Sequence, residues 1–322
     1  MSNITMQDNV PTLCSTDVKA IFSPSALSLY LTHASLACIM AVITITSNCT
    51  FLATMFQMRG QRSISNKLLM TLSTIDLLIG VLAWPLIAAL TFQHYKIDVD
   101  CYLLEATLSS GYHFAMVTLC TIFLVAFEQY LAILHPYFYI SQVTYSRLIW
   151  PLIASNSALL LISIIVQSSF RKIWIYFIQI LFLPISVVIV VGLVYMYQKI
   201  IVCASRVAVR INSTNKEEGR QIKSRVKAAK SSLIILIATL VCYSPVISYN
   251  IYKKLENLTP YNMTFFGYSS QIMAMITSVI DPVVYYWRLR SLRKATKDMF
   301  SSIFKSNNQV RSLPMHTNDN VN

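Results

Sequence analysis

Seven stretches of this chain run for more than twenty residues almost without charge: 20–58, 68–95 broken only by Asp76, 106–127, 148–170, 173–198, 231–252, and 257–287 broken only by Asp281. About 20 apolar residues in a helix cross the ~30 Å hydrocarbon layer of a bilayer. A segment exposed to lipid must satisfy its own backbone hydrogen bonds, which a helix does. The expected fold is all-α, a seven-transmembrane helix bundle. With 55% hydrophobic and 12% charged residues, the composition excludes an ordinary soluble globule.

Arg171 and Lys172 alone separate the fourth and fifth runs, so a merged reading would give six crossings. Charge decides between them. With seven crossings and an outside N-terminus, 20 of the 26 Lys and Arg residues fall on the inner side and six on the outer. That is the positive-inside pattern. The net charge of +13 then belongs mostly to a cytosolic face against anionic membrane lipid, and nothing beyond charge points to nucleic acid. Residues 1–18 lack the basic-then-apolar order of a cleavable signal, so the first span is expected to direct insertion.

The division that follows is an extracellular segment 1–26, the bundle 27–287, a membrane-surface helix 288–305 and a polar, disordered cytosolic tail 306–322. Leu292, Met299, Phe300 and Phe304 alternate at helical spacing with Arg290, Arg293, Lys294 and Lys297, the pattern of a short amphipathic helix lying in the interface. Sequons at Asn3, Asn257 and Asn262 all fall outside and are expected to carry glycan. Of seven cysteines only Cys14 and Cys101 are external, and they are predicted to pair in the oxidising exterior. Two free thiols are the alternative.

Ionisable groups within a span cost roughly 2.5–3.5 kcal/mol on insertion scales and mark function by default. Asp76 and Asp281 sit at similar depth in the cytosolic halves of their helices. They can share a cation or a proton, with Asn48, Thr118, Thr277 and Ser278 adding oxygen ligands for a sodium ion. A neutral pair that only ties helices together is the competing reading. Pro245 and Pro282 each remove a helical hydrogen bond and supply hinges.

In order along the chain, Asn48, Leu72-Ser73-Thr74-Ile75-Asp76, Glu128-Gln129-Tyr130 with His135-Pro136, Trp150, Cys242-Tyr243-Ser244-Pro245 and Asp281-Pro282-Val283-Val284-Tyr285 resemble the helix motifs of rhodopsin-type (class A) G-protein-coupled receptors. The resemblance covers nearly all of the chain. It implies no enzyme, but a plasma-membrane receptor in which an outside ligand shifts the sixth helix and opens a cytosolic cleft for a heterotrimeric G protein. Gln129 stands where the family carries arginine. Twenty residues before Pro245, Arg225 stands where the family often has an acid, so Glu128 is expected to reach Arg225 as an inactive-state latch.

The departures bear on the ligand. Gly111 occupies the place of the amine receptors' acid, and Met275 that of the retinal lysine, which argues against an amine ligand and against retinal. A short second outer loop without cysteine, together with Asp281, resembles the melanocortin, cannabinoid, lysophospholipid and adenosine group. A pocket of Tyr112, Phe114, Phe170, Tyr243, Tyr249, Asn250, Phe266 and Gln271 would suit a small, largely uncharged molecule or a lipid. Plain aromatic packing is the alternative for these residues. The competing functions are a non-signalling decoy or scavenger of the same fold, motivated by Gln129, and a cation-coupled transporter, disfavoured because the two halves show no internal repeat.

Overall fold

A computed structural model describes residues 24–58, 63–96, 100–169, 174–210, 233–249, 251–252, 260–288 and 290–311, and helix is the regular structure in all of them. The first span is Pro24–Gln57, the third Cys101–Leu134, the fourth Tyr145–Ser169 and the fifth Trp174–Arg210. The second runs over Ile64–Lys96, and the sixth is described over Leu233–Tyr249. The seventh consists of Pro260–Met275 and Thr277–Arg288, joined by a turn at Ile276. A short helix, Pro136–Gln142, follows the third span, and Arg290–Arg311 follows the seventh.

The helix starts have local causes. Ser63 caps the second span by accepting a hydrogen bond from the Asn66 amide at 3.2 Å. Asp100 does the same for the third, from the Tyr102 amide at 2.9 Å. Such side chains satisfy amide groups that a helix leaves unpaired at its start. Pro136 occupies the first turn of the short helix, where its missing N–H costs nothing.

The second span changes gait in mid-membrane. Ile79–Ala83 is a π-helical turn between the α-helical segments Ile64–Leu78 and Trp84–Lys96. Gly80 lies in that turn, where a Cβ would stand 2.9 Å from Ile45 Cγ1 and 3.1 Å from Thr44 Cγ2. The first and second spans approach closely here, the use small residues have between membrane helices.

The two largest apolar clusters among the described residues divide the bundle. Phe51, Leu72, Ile122, Leu193, Ile235 and Tyr285 pack the half that holds the Glu128 end of the third span. Ala37, Ile79, Trp84, Ile87, Ile272 and Met275 pack the other half. The terminal helix docks on the first span: Leu292 and Met299 are buried, and Thr54 and Thr296 share a hydrogen bond at 3.2 Å. Part of the apolar face expected in lipid is therefore inside the protein. This helix also continues through Arg311, past the expected end at 305, because no proline or glycine interrupts it before Pro314. Residues 312–322 of the expected tail lie outside the described residues.

Candidate functional site

Several arrangements among the described residues bear on function. In the first, Asn48 joins three spans: its Nδ2 donates to the carbonyls of Thr44 and Ser278, both at 3.0 Å, while Ser73 Oγ donates to its Oδ1 at 2.8 Å. Next to this knot, Asp76, Thr118, Thr277, Ser278 and Asp281 are all buried. The carboxyl groups of Asp76 and Asp281 interact directly. None of their four oxygens, nor Thr118 Oγ1, meets a hydrogen-bond donor among the described residues.

Thr277 and Ser278 do not donate to them either. Their hydroxyls bond the carbonyls of Ala274 at 2.9 Å and Met275 at 2.7 Å, which leaves oxygen lone pairs available. Facing buried carboxylates without donors are untenable as two anions. The site needs a proton or a cation, and an all-oxygen donor set fits a hard cation. The Tyr243 ring of the sixth span lies within electrostatic reach of both carboxyls.

The second arrangement is at the end of the third span. Glu128 is 2% exposed. Ser65 Oγ donates to its Oε2 at 2.7 Å, and the Tyr139 hydroxyl donates to its Oε1 at 2.5 Å. The carboxylate thereby connects the second span, the third and the short helix. Gln129 is buried, and the Tyr130 ring lies 5.7 Å from the His135 ring. Pro245 lies inside the sixth helix and Pro282 inside the seventh, as expected. Tyr285 is fully buried with its ring 4.8 Å from that of Phe51. Arg225 lies outside the described residues. Ser65 and Tyr139 were not legible beforehand, because a serine and a tyrosine near a helix end carry no distinguishing pattern.

The third arrangement is the expected pocket, and the structure brings together only part of it. Tyr112 packs against buried Met116, whereas Phe114 packs against the separate cluster that contains Trp84, Ile87 and Ile272. Two residues apart on a helix, they point about 200° from each other. Phe266 is exposed, its ring against that of Phe265, and so does not line an interior pocket. Phe170 and Asn250 lie outside the described residues. What does converge is Gly111, where a Cβ would stand 3.5 Å from Gln271 Nε2 and 3.8 Å from Met275 Cε, and Gly267, where it would stand 3.2 Å from the Tyr249 hydroxyl.

Toward the same end of the bundle lies a cluster that no motif announced. Tyr30, His33 and His94 are buried. Tyr30 stacks on His94 at 5.2 Å, and the Tyr268 hydroxyl lies 3.1 Å from His94 Nδ1. Cys101, at the start of the third span, is disulfide-bonded. Cys38, Cys49, Cys120, Cys203 and Cys242 are free, and Cys14 lies outside the described residues. So do Asn3 and Asn257, while Asn262 is half-buried in the first turn of the seventh span.

Residues 47–285 match the family described as 7 transmembrane receptor (rhodopsin family). The chain belongs to that family. This receptor is 27% identical over 95 residues to the Homo sapiens Probable G-protein coupled receptor 63, a match covering 29% of this chain and 22% of that protein. It is 25% identical over 134 residues to Cannabinoid receptor 1 of Xenopus laevis, covering 37% and 28%. With Cannabinoid receptor type 1B of Takifugu rubripes it shares 28% over 75 residues, covering 23% and 16%. The matched stretches thus span less than a third of these relatives' length. The family consists of receptors rather than enzymes, and this receptor is a multi-pass membrane protein.

Proposed function

We propose that this receptor sits in the plasma membrane with its N-terminus outside, and that it passes the binding of a small, largely uncharged or lipid ligand to a heterotrimeric G protein. The observation that carries the coupling half is the junction at Glu128. It holds together the second span, the third span and the short helix, which presents Tyr137, Phe138 and Ile140 exposed beside it. Exposed apolar side chains at a basic face suit a protein partner. The surroundings of Gly111, Gln271 and Met275 support an uncharged ligand, and two of the relatives above carry the name cannabinoid receptor.

Around this reading stand further proposals. Asp76 and Asp281, with Asn48, Thr118, Thr277 and Ser278, hold a sodium ion as an allosteric ligand, and retinal is no cofactor. Cys14 is the partner of Cys101, and Asn3, Asn257 and Asn262 carry glycan. Arg225 latches Glu128 in the inactive state, for which it must compete with the Ser65 and Tyr139 hydroxyls. A receptor that binds ligand without coupling is the second reading, favoured by Gln129 in the arginine's place. Nucleotide exchange on G proteins, measured with the purified receptor across cannabinoid-like lipids, lysophospholipids, adenosine and peptides, tests both. Ligand-dependent exchange supports coupling; saturable ligand binding without exchange supports the second reading.

A further inference from the structure

The carboxyls of Asp76 and Asp281 carry together more charge than one sodium ion answers. Asp76 is on the second span and Asp281 on the seventh, 0% and 1% exposed. Among the described residues no Lys, Arg or His acts on either group; burial and the opposite carboxyl do. None of their four oxygens meets a hydrogen-bond donor there. A buried ion persists only when it is paired and bonded, so the compensating positive charge has to come from outside the protein.

A third span contributes an oxygen at the same level. Leu69 and Leu72 of the second span line one gap with Ile122 and Val125 of the third. Only a short connection separates Lys96 from Cys101, so the two spans run in opposite directions. Asp76 lies one helical turn after Leu72, and Thr118 one turn before Ile122, which brings them to one depth on facing sides. Elsewhere on the third span Thr107 and Thr121 return their hydroxyls to carbonyls four residues back, both at 2.7 Å. Thr118 does not: its Oγ1 is buried without a partner.

The seventh span adds two more oxygens. Thr277 and Ser278 stand one turn before Asp281 on its side of the helix. Their protons go to the carbonyls of Ala274 and Met275, so each hydroxyl can still offer a lone pair to a cation.

Four carboxylate and three hydroxyl oxygens suit calcium, which takes about 6–8 oxygen ligands in a flexible shell. Magnesium demands near-ideal octahedral geometry and gives up its waters reluctantly, a poor match for a buried site of this kind. Sodium matches the ligand chemistry but answers only one of the two charges. A divalent ion answers both.

We infer that the site formed by Asp76, Asp281, Thr118, Thr277 and Ser278 prefers calcium to sodium, and that calcium bound there joins the second, third and seventh spans. This rests on the reading of the carboxyl pair as a cation site. Asp281 is the residue that sets the preference, because it supplies the second negative charge.

The test is thermal unfolding of the full-length receptor in nanodiscs of neutral phosphatidylcholine, where both faces see the buffer and the lipid does not collect calcium. Calcium chloride, sodium chloride and magnesium chloride are titrated separately against choline chloride at constant ionic strength and pH. A cation that binds only the folded state raises the unfolding midpoint by mass action. Calcium is expected to reach half of its effect at about 10⁻⁴–10⁻³ M, the range of extracellular calcium modules, and at least about tenfold below sodium. Magnesium should act more weakly than calcium. Asp76→Asn and Asp281→Asn should each abolish the calcium-dependent rise.

A rise with sodium and none with calcium overturns the preference and leaves the cation reading standing. No rise with either ion removes that reading, and the preference with it. A calcium-dependent rise that both variants keep, or that magnesium matches, overturns calcium binding between the carboxyls. Should a variant fail to fold, competition on the unsubstituted receptor decides. Added sodium must move the calcium curve to higher concentration, and a curve indifferent to sodium overturns the shared site.

Discussion

Tyr139 donates its hydroxyl to the Glu128 carboxylate from a helix that begins only after the third span has ended, at 2.5 Å. With Ser65 on the other oxygen at 2.7 Å, the buried acid receives two neutral donors. Hydrogen bonds to a charged group contribute about 1.5–3 kcal/mol each. Tyr139→Phe is expected to lower the thermal unfolding midpoint and to raise basal nucleotide exchange, because the short helix loses its tie. Ser65→Ala should act in the same direction, read by unfolding in detergent with and without G protein.

The facing carboxyls of Asp76 and Asp281 make a salt prediction. Replacing choline by sodium at constant ionic strength should raise the unfolding midpoint of the receptor, since a ligand that binds only the folded state stabilises it by mass action. Asp76→Asn and Asp281→Asn should each abolish that sodium-dependent increment. An increment that both variants retain would place the cation elsewhere.

Gly80 admits no larger side chain without displacement. A Cβ there would stand 2.9 Å from Ile45, so Gly80→Ala is expected to cost about 1–3 kcal/mol by overpacking. Gly111→Ala meets ordinary contact distances and should be nearly neutral for stability. Paired unfolding measurements on the two variants check the contrast.

At position 129 the expectation concerns signalling. Gln129→Arg should increase ligand-dependent nucleotide exchange if the glutamine is what weakens coupling. Arg225→Glu should raise basal exchange if Arg225 latches Glu128; no rise would remove the latch.

Peptide mapping without reduction should recover Cys14 linked to Cys101, with the other five cysteines alkylated. Recovery of alkylated Cys14 would require another partner for Cys101.

Some of these sites were legible because charge is conspicuous in an apolar run. Asp76 and Asp281 stand out in that way, and the structure places their carboxyls together. His33 and His94 do not stand out: each is a lone histidine in a long apolar stretch, and only packing reveals that both meet Tyr268. Tyr112 and Phe114 were grouped because both are aromatic on the third span. Helical geometry sends them to opposite sides, a point that requires knowing which face meets which neighbour.

Hydrophobic run length determined that this chain is built of membrane-crossing helices, and the distribution of Lys and Arg chose seven crossings over six. Its motifs, in order, determined the family. Which polar groups meet was decided by tertiary structure: Asn48 with Ser278, Glu128 with Tyr139, His33 with Ser269. These partners lie 11 to 236 residues apart along the chain. Their meeting depends on the rotation and crossing of each helix against its neighbours, which run length and local spacing do not encode.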